Sequence, residues 1–370
     1  MNLKQILGKT LKIFLPLLLG LALLWYLYRN SNMAEIVAII KSGVDYRILL
    51  FSLIFGLTAN VVRGFRWAML IDSLGKPVGR KNVIYAVLGN YAINIAVPFR
   101  AGEIWRCGVT AKYEKVPFTK LLGTLFVDRF MDTLTVALLT SCLFFFNISF
   151  FRHFFAANPP LIVDTIYKIL SSVWTYIGLA ATFVLIWLLF VKFEHLLIIQ
   201  KVKGLIFNVW EGVRSIWKIK RRGLFLLQTL MIWGGYFVYF YTTFYAFDFT
   251  EDLGIRIGLI AFAMSSLGVA VPVQGGIGVW HFMVISTLVI FGVDKTDAGA
   301  FAFVVFAVQS VWVVLTGLFG IIALSLGKRE NGRTEEGKDE ETVHPFTPST
   351  VAGNAMDTTT GQLSKKLKIK

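Results

Sequence analysis

Ionisable residues stand inside apolar segments of this 370-residue chain: Arg63 and Arg66, then Arg100, Glu103 and Arg106, then Asp128, Arg129 and Asp132. A charge at the centre of a bilayer costs ~2.5–3.5 kcal/mol even on insertion scales, so such residues face a protein interior or water and pair with one another. Their spacing agrees with pairing. Asn60, Arg63 and Arg66 step i, i+3 along one helix face, Glu103 and Arg106 do the same, and Asp128 and Asp132 are i, i+4 neighbours. Arg100 and Arg106 suit bidentate contact with a phosphate. A helix starting after 98–102 would aim free N–H groups and a positive dipole end at the same place. Glu103 and the Asp128/Asp132 pair would balance charge or meet a cationic head group. The plainer alternative is an ion-pair network that only locks helices together. In that reading Asp128 and Arg129 sit near the membrane interface and Arg66, close to a span end, snorkels.

The elements that must position these groups are two short apolar segments broken by Pro and Gly. They read Ala96-Val97-Pro98-Phe99-Arg100-Ala101-Gly102-Glu103 and Ala270-Val271-Pro272-Val273-Gln274-Gly275-Gly276-Ile277, with the prolines 174 residues apart. Paired interruptions in corresponding halves point to a midplane binding site in transporter-like proteins. A gapless shift of 174 residues also overlays 48–71 on 222–245, Gly102 on Gly276, and 121–146 on 295–320. Three crossings separate corresponding points, so the second unit is inverted relative to the first. The segments 82–113 and 256–292 are expected to be re-entrant hairpins, tolerable only where their backbone is buried in protein or lines a wet cavity. The alternative is a pair of ordinary helices kinked by Pro and Gly.

Composition fixes the class. The chain is 56% hydrophobic with 33 Phe and 16% charged residues, and its mean hydropathy is +0.67. The apolar residues fall in membrane-length runs, which predicts an all-α polytopic membrane protein. About six full spans are expected, at 11–28, 48–71, 121–146, 173–191, 224–247 and 298–326, plus the two hairpins. The net charge of +15 is carried by loop Lys and Arg beside spans, which excludes nucleic acid as the natural partner and places both termini in the cytoplasm, with the inner membrane as location.

The N-terminal apolar stretch reads as an uncleaved helix with interfacial Trp25, Tyr26 and Tyr28. Cys107 and Cys142 read as packing residues, and neither a metal nor a cofactor is expected. The expected organisation is an anchor helix and outer loop (1–45), a first repeat (46–146), a connecting span and a basic amphipathic segment that lies on anionic inner-leaflet lipids (147–221), a second repeat (222–326) and a disordered cytoplasmic tail (327–370).

The repeats differ in chemistry. Positions matching Arg100, Glu103 and Arg106 are Gln274, Ile277 and Trp280, so the second hairpin is polar but uncharged. Gln274, His281 and Gln309 are its candidate functional residues, with a packing role as the plainer reading for His281.

The run Asn94-Ile95-Ala96-Val97-Pro98-Phe99-Arg100-Ala101-Gly102-Glu103-Ile104-Trp105-Arg106, then Val127-Asp128-Arg129-Phe130-Met131-Asp132 and Val271-Pro272-Val273-Gln274-Gly275-Gly276-Ile277-Gly278, resembles the lysylphosphatidylglycerol synthase transmembrane-region family over roughly residues 10–326. The resemblance implies a flippase-like membrane domain that moves aminoacylated phospholipid between leaflets. A separate domain makes that lipid in the family, so this chain is expected to be the stand-alone membrane form and not a lysyltransferase.

Three readings follow. One is a transporter that moves a phospholipid or isoprenoid-phosphate lipid between leaflets, without direct use of ATP because no Walker A motif is present. A second is a membrane glycosyl or phosphoryl transferase, for which paired carboxylates would do acid–base work. The third is an accessory subunit that partners a lipid-synthesis enzyme.

Overall fold

A computed structural model describes residues 21–29, 33–75, 77–97, 99–157, 172, 173, 177, 204, 207, 210, 214–271 and 273–341. Among the described residues the regular elements are all helical. A helical stretch over 21–28 is followed by α1 (Met33–Ser42), α2 (Tyr46–Asp72), α3 (Arg80–Ala96), α4 (Ala101–Glu114), α5 (Phe118–Phe146) and α6 (Ile148–Ala157). The second half contains α7 (Arg222–Thr242), the single turn α8 (Asp248–Glu251), α9 (Gly254–Ala270), α10 (Val279–Ile290) and α11 (Lys295–Glu341).

Four of these are long and apolar enough to cross a membrane: Tyr46–Asp72, Phe118–Phe146, Arg222–Ala246 and Lys295–Leu326. They coincide with four of the six expected spans. The chain is a multi-pass membrane protein. The expected spans at 11–28 and 173–191 lie largely outside the described residues, as do Pro98, Pro272 and most of the basic segment before Arg222. Chain contacts divide at Leu326, with Gly327–Lys370 forming a second unit. Its backbone is helical as far as Glu341, where a disordered tail was expected. Residues 327–341 hold three Gly, each costing a helix ~1 kcal/mol, among Lys, Arg and Glu residues that are good helix formers. Residues 342–370 lie outside the described residues.

The centre of the fold is the antiparallel pair α2/α7. Asp45 N–H donates to the Ala246 carbonyl at 2.9 Å, Tyr236 OH donates to Asn60 Oδ1 at 2.6 Å, and Arg66 Nη1 donates to Thr229 Oγ1 at 3.2 Å. Residue numbers rise along one helix as they fall along the other. Asp45 starts α2 by accepting the Arg47 N–H at 2.8 Å, an N-cap geometry.

Two helical hairpins flank this pair and open at opposite ends of it. The open end of the α3/α4 hairpin is tied at the Asp72 end, where Glu114 accepts from Gly79 N–H at 2.9 Å and from Asn82 Nδ2 at 2.7 Å, and Asp72 pairs with Arg80. The α9/α10 hairpin is anchored at the other end, where Arg256 Nε donates to Asn147 Oδ1 at 2.8 Å and Phe291 stacks on Phe150 with ring centroids 5.2 Å apart. The start and end of α9 lie 174 residues after those of α3. α11 packs onto α3 through small residues: a Cβ on Gly317 would meet the Ala92 Cβ at 2.3 Å, and one on Gly320 would meet the Tyr85 carbonyl oxygen at 2.7 Å. Only glycine permits this backbone approach.

Candidate functional site

The hairpin tips touch. Arg100 Nη2 donates to the Val269 carbonyl oxygen at 3.0 Å, in the last turn of α9, where carbonyls lack helical partners and favour a cation. The turns are built differently. Phe99 and Arg100 take φ of +59° and +53°, whereas Gly275, Gly276 and Gly278 supply the positive φ of the second tip. A left-handed conformation costs a residue with a Cβ roughly 1–2 kcal/mol, so the first tip keeps side chains there at a cost. Gly102 is required by contact: a Cβ would fall 2.1 Å from the Asn90 carbonyl oxygen.

Two of the N–H groups expected to be free at this tip are engaged. Gly102 N–H donates to Asn94 Oδ1 at 2.9 Å and Glu103 N–H to the Arg100 carbonyl at 2.9 Å. Both are engaged within the hairpin itself.

Behind the tip, α2, α4 and α5 bring their charges together. Arg63 pairs with Asp132 and lies 3.8 Å from Asp128. Arg66 Nη2 reaches Asp128 Oδ1 at 2.6 Å and Asp132 Oδ1 at 2.8 Å. Asp128 Oδ2 also accepts from Arg106 Nη2 at 3.2 Å and Arg129 Nη2 at 3.1 Å. Asp128 thus faces four guanidinium groups. Arg63, Arg66, Arg106, Asp128 and Asp132 are all buried, so their charges face one another inside the protein.

Arg106 does not point to the tip. Its guanidinium stacks over the Trp67 ring, 4.2 Å from the centroid, because a helix starting at Ala101 turns Arg106 onto the face against α2 and α5. Arg129 and Arg100 form the accessible edge, with side chains 22% and 40% exposed, and Glu103 lies between them at 3.7 and 3.5 Å.

The second hairpin contributes little to this cluster. The Gln274 side chain lies outside the described residues. His281 is buried in an aromatic cage, with ring centroids 4.6 Å from Phe306, 5.4 Å from Trp280 and 6.3 Å from Tyr28. Its Nδ1 has no hydrogen-bond partner among the described residues. The structure does not join it to the ion cluster.

Residues that sequence reasoning missed come from α7. Tyr236 OH accepts from Arg63 Nε at 3.3 Å, and Thr229 Oγ1 accepts from Arg66. No spacing signal links them to α2, since the partners are 173 and 163 residues apart.

The family model described as lysylphosphatidylglycerol synthase TM region matches residues 13–317. No curated protein and no solved structure matches the chain.

Proposed function

The chain belongs to the lysylphosphatidylglycerol synthase transmembrane-region family, and from that premise we propose that it moves a phospholipid or lipid-linked head group between the leaflets of the cytoplasmic membrane. It does so without making or breaking a covalent bond. The observation that carries this reading is the meeting of two oppositely anchored hairpins at Arg100 and Val269 beside a buried ion cluster. In a bilayer with both termini cytoplasmic, the hairpins become re-entrant elements of an inverted repeat, one entered from each leaflet, and their joined tips lie at depth.

The division of labour follows from burial. Arg63, Arg66, Asp128 and Asp132 hold α2 to α5 and set the position of α4. Arg100, Glu103 and Arg129 form the edge that meets the head group, while the tails remain in lipid. Movement of the hairpins breaks the Arg100–Val269 contact and lets the head group pass from one side of the tips to the other. The two states differ by a contact that a phosphate replaces, which gives the substrate the differential affinity any such shift requires.

The test is translocation of labelled lipids in liposomes holding the purified chain, beside Arg100→Ala and Glu103→Gln variants of verified folding. Movement that is lost in both variants supports the reading. Absence of movement for every lipid offered to well-folded protein overturns it, and a new covalent product formed from a lipid donor would assign a transferase instead.

A further inference from the structure

The charge count of the cluster is unbalanced. Among the described residues, ion pairs link five guanidinium groups (Arg63, Arg66, Arg100, Arg106, Arg129) to three carboxylates (Glu103, Asp128, Asp132), leaving two positive charges in excess. The excess is not spread evenly. Arg63 and Arg66 each reach both aspartates, with contacts as short as 2.6 Å for Arg66. At the edge, Arg129 Nε has no hydrogen-bond partner among the described residues; Arg106, fully buried behind it on Trp67, leaves Nε and Nη1 without one as well. Glu103, the carboxylate nearest the accessible edge, stands 3.5 and 3.7 Å from Arg100 and Arg129, too far for strong hydrogen bonds. Uncompensated charge and orphaned N–H donors are both costly, so the Arg129 and Arg100 edge suits an anion.

Building on the lipid-transport reading, we infer that the head group taken at this edge carries net negative charge on a phosphate, with no ammonium to neutralise it. A phosphodiester of an anionic phospholipid and the phosphate of an isoprenoid lipid share that chemistry. A head group carrying a lysyl residue brings two ammonium groups toward the excess of guanidinium and is disfavoured by like-charge contact. Arg129 is the discriminating residue: it is accessible, and its removal still leaves one positive charge in excess, so the carboxylates keep their partners.

The experiment uses the full chain in nanodiscs of zwitterionic lipid, titrated with phosphatidylglycerol, an isoprenoid monophosphate, lysyl-phosphatidylglycerol and inorganic phosphate, with translocation of the same lipids measured in liposomes. At least one anionic lipid is expected to bind about tenfold or more tightly than lysyl-phosphatidylglycerol. Arg129→Gln is expected to lower that affinity about tenfold and Arg129→Lys to keep most of it, with the ligand-free unfolding midpoint little changed. Equal or tighter binding of lysyl-phosphatidylglycerol overturns the inference, and inorganic phosphate binding as tightly as the lipids overturns a lipid head group as the ligand. If Arg129→Gln fails to fold, Arg100→Gln carries the test, and unchanged affinity in that variant also overturns the inference. Selective binding without movement of any lipid leaves the inference standing while the transport reading falls. Movement of lysyl-phosphatidylglycerol in preference to the anionic lipids does the reverse.

Discussion

Arg100 and Val269, 169 residues apart in sequence, join the two hairpins through one hydrogen bond of 3.0 Å, from the Arg100 guanidinium to the Val269 carbonyl oxygen. Arg100 occupies the left-handed region to do so, and the acceptor lies at the open C-terminal end of α9. The contact therefore combines backbone strain on one side with relief of an orphan carbonyl on the other.

Strain and contact separate on substitution. Arg100→Ala loses the hydrogen bond and keeps the left-handed penalty, whereas Arg100→Gly loses the bond and removes the penalty. Arg100→Gly is expected to be about 1 kcal/mol more stable than Arg100→Ala, read as the difference in unfolding midpoints in detergent. Both are expected to lose lipid movement, since neither restores the cation.

Asp128→Asn is expected to be the most damaging charge substitution in the cluster. It leaves Arg106 without its carboxylate and weakens the pairing of Arg66, Arg63 and Arg129, and breaking a buried pair costs about 3–5 kcal/mol. Glu103→Gln, whose contacts are long, is expected to cost no more than about 1 kcal/mol. Equal midpoint losses in the two variants would contradict this ranking.

Two glycines on the same helix predict opposite outcomes. Gly102→Ala drives a methyl into the Asn90 carbonyl and is expected to cost at least ~1–3 kcal/mol by overpacking. Gly108 has open space where its Cβ would stand, so Gly108→Ala is expected to be neutral or stabilising by up to ~1 kcal/mol. Thermal unfolding of the purified variants decides both.

The opposed hairpins predict opposed loops. In a chain whose two native cysteines, Cys107 and Cys142, have been replaced, Ser73→Cys is expected to react with an impermeant maleimide only after the membrane is opened, and Thr296→Cys to react in intact cells. Labelling of both from one side would refute the proposed insertion.

Much of the architecture was legible in the sequence because the bilayer enforces it. Apolar runs of fixed length placed α2, α5, α7 and the apolar part of α11 within a few residues of their observed ends. The 174-residue shift carries α3 onto α9 end to end. Helical spacing also put Arg63 with Arg66, and Asp128 with Asp132, on shared faces, since an i, i+3 or i, i+4 step fixes a face whatever surrounds it. Spacing along one helix says nothing about which other helix that face meets, or at what depth. Only tertiary packing buried Arg66 against Asp128, turned Arg106 away from the tip onto Trp67, and brought in Tyr236 and Thr229 from α7. It also gave the tip amides to Asn94 and Arg100. The excess of guanidinium over carboxylate became a property of one site when packing gathered eight charges from distant positions into one cluster, buried at its centre and accessible at the Arg100 and Arg129 edge.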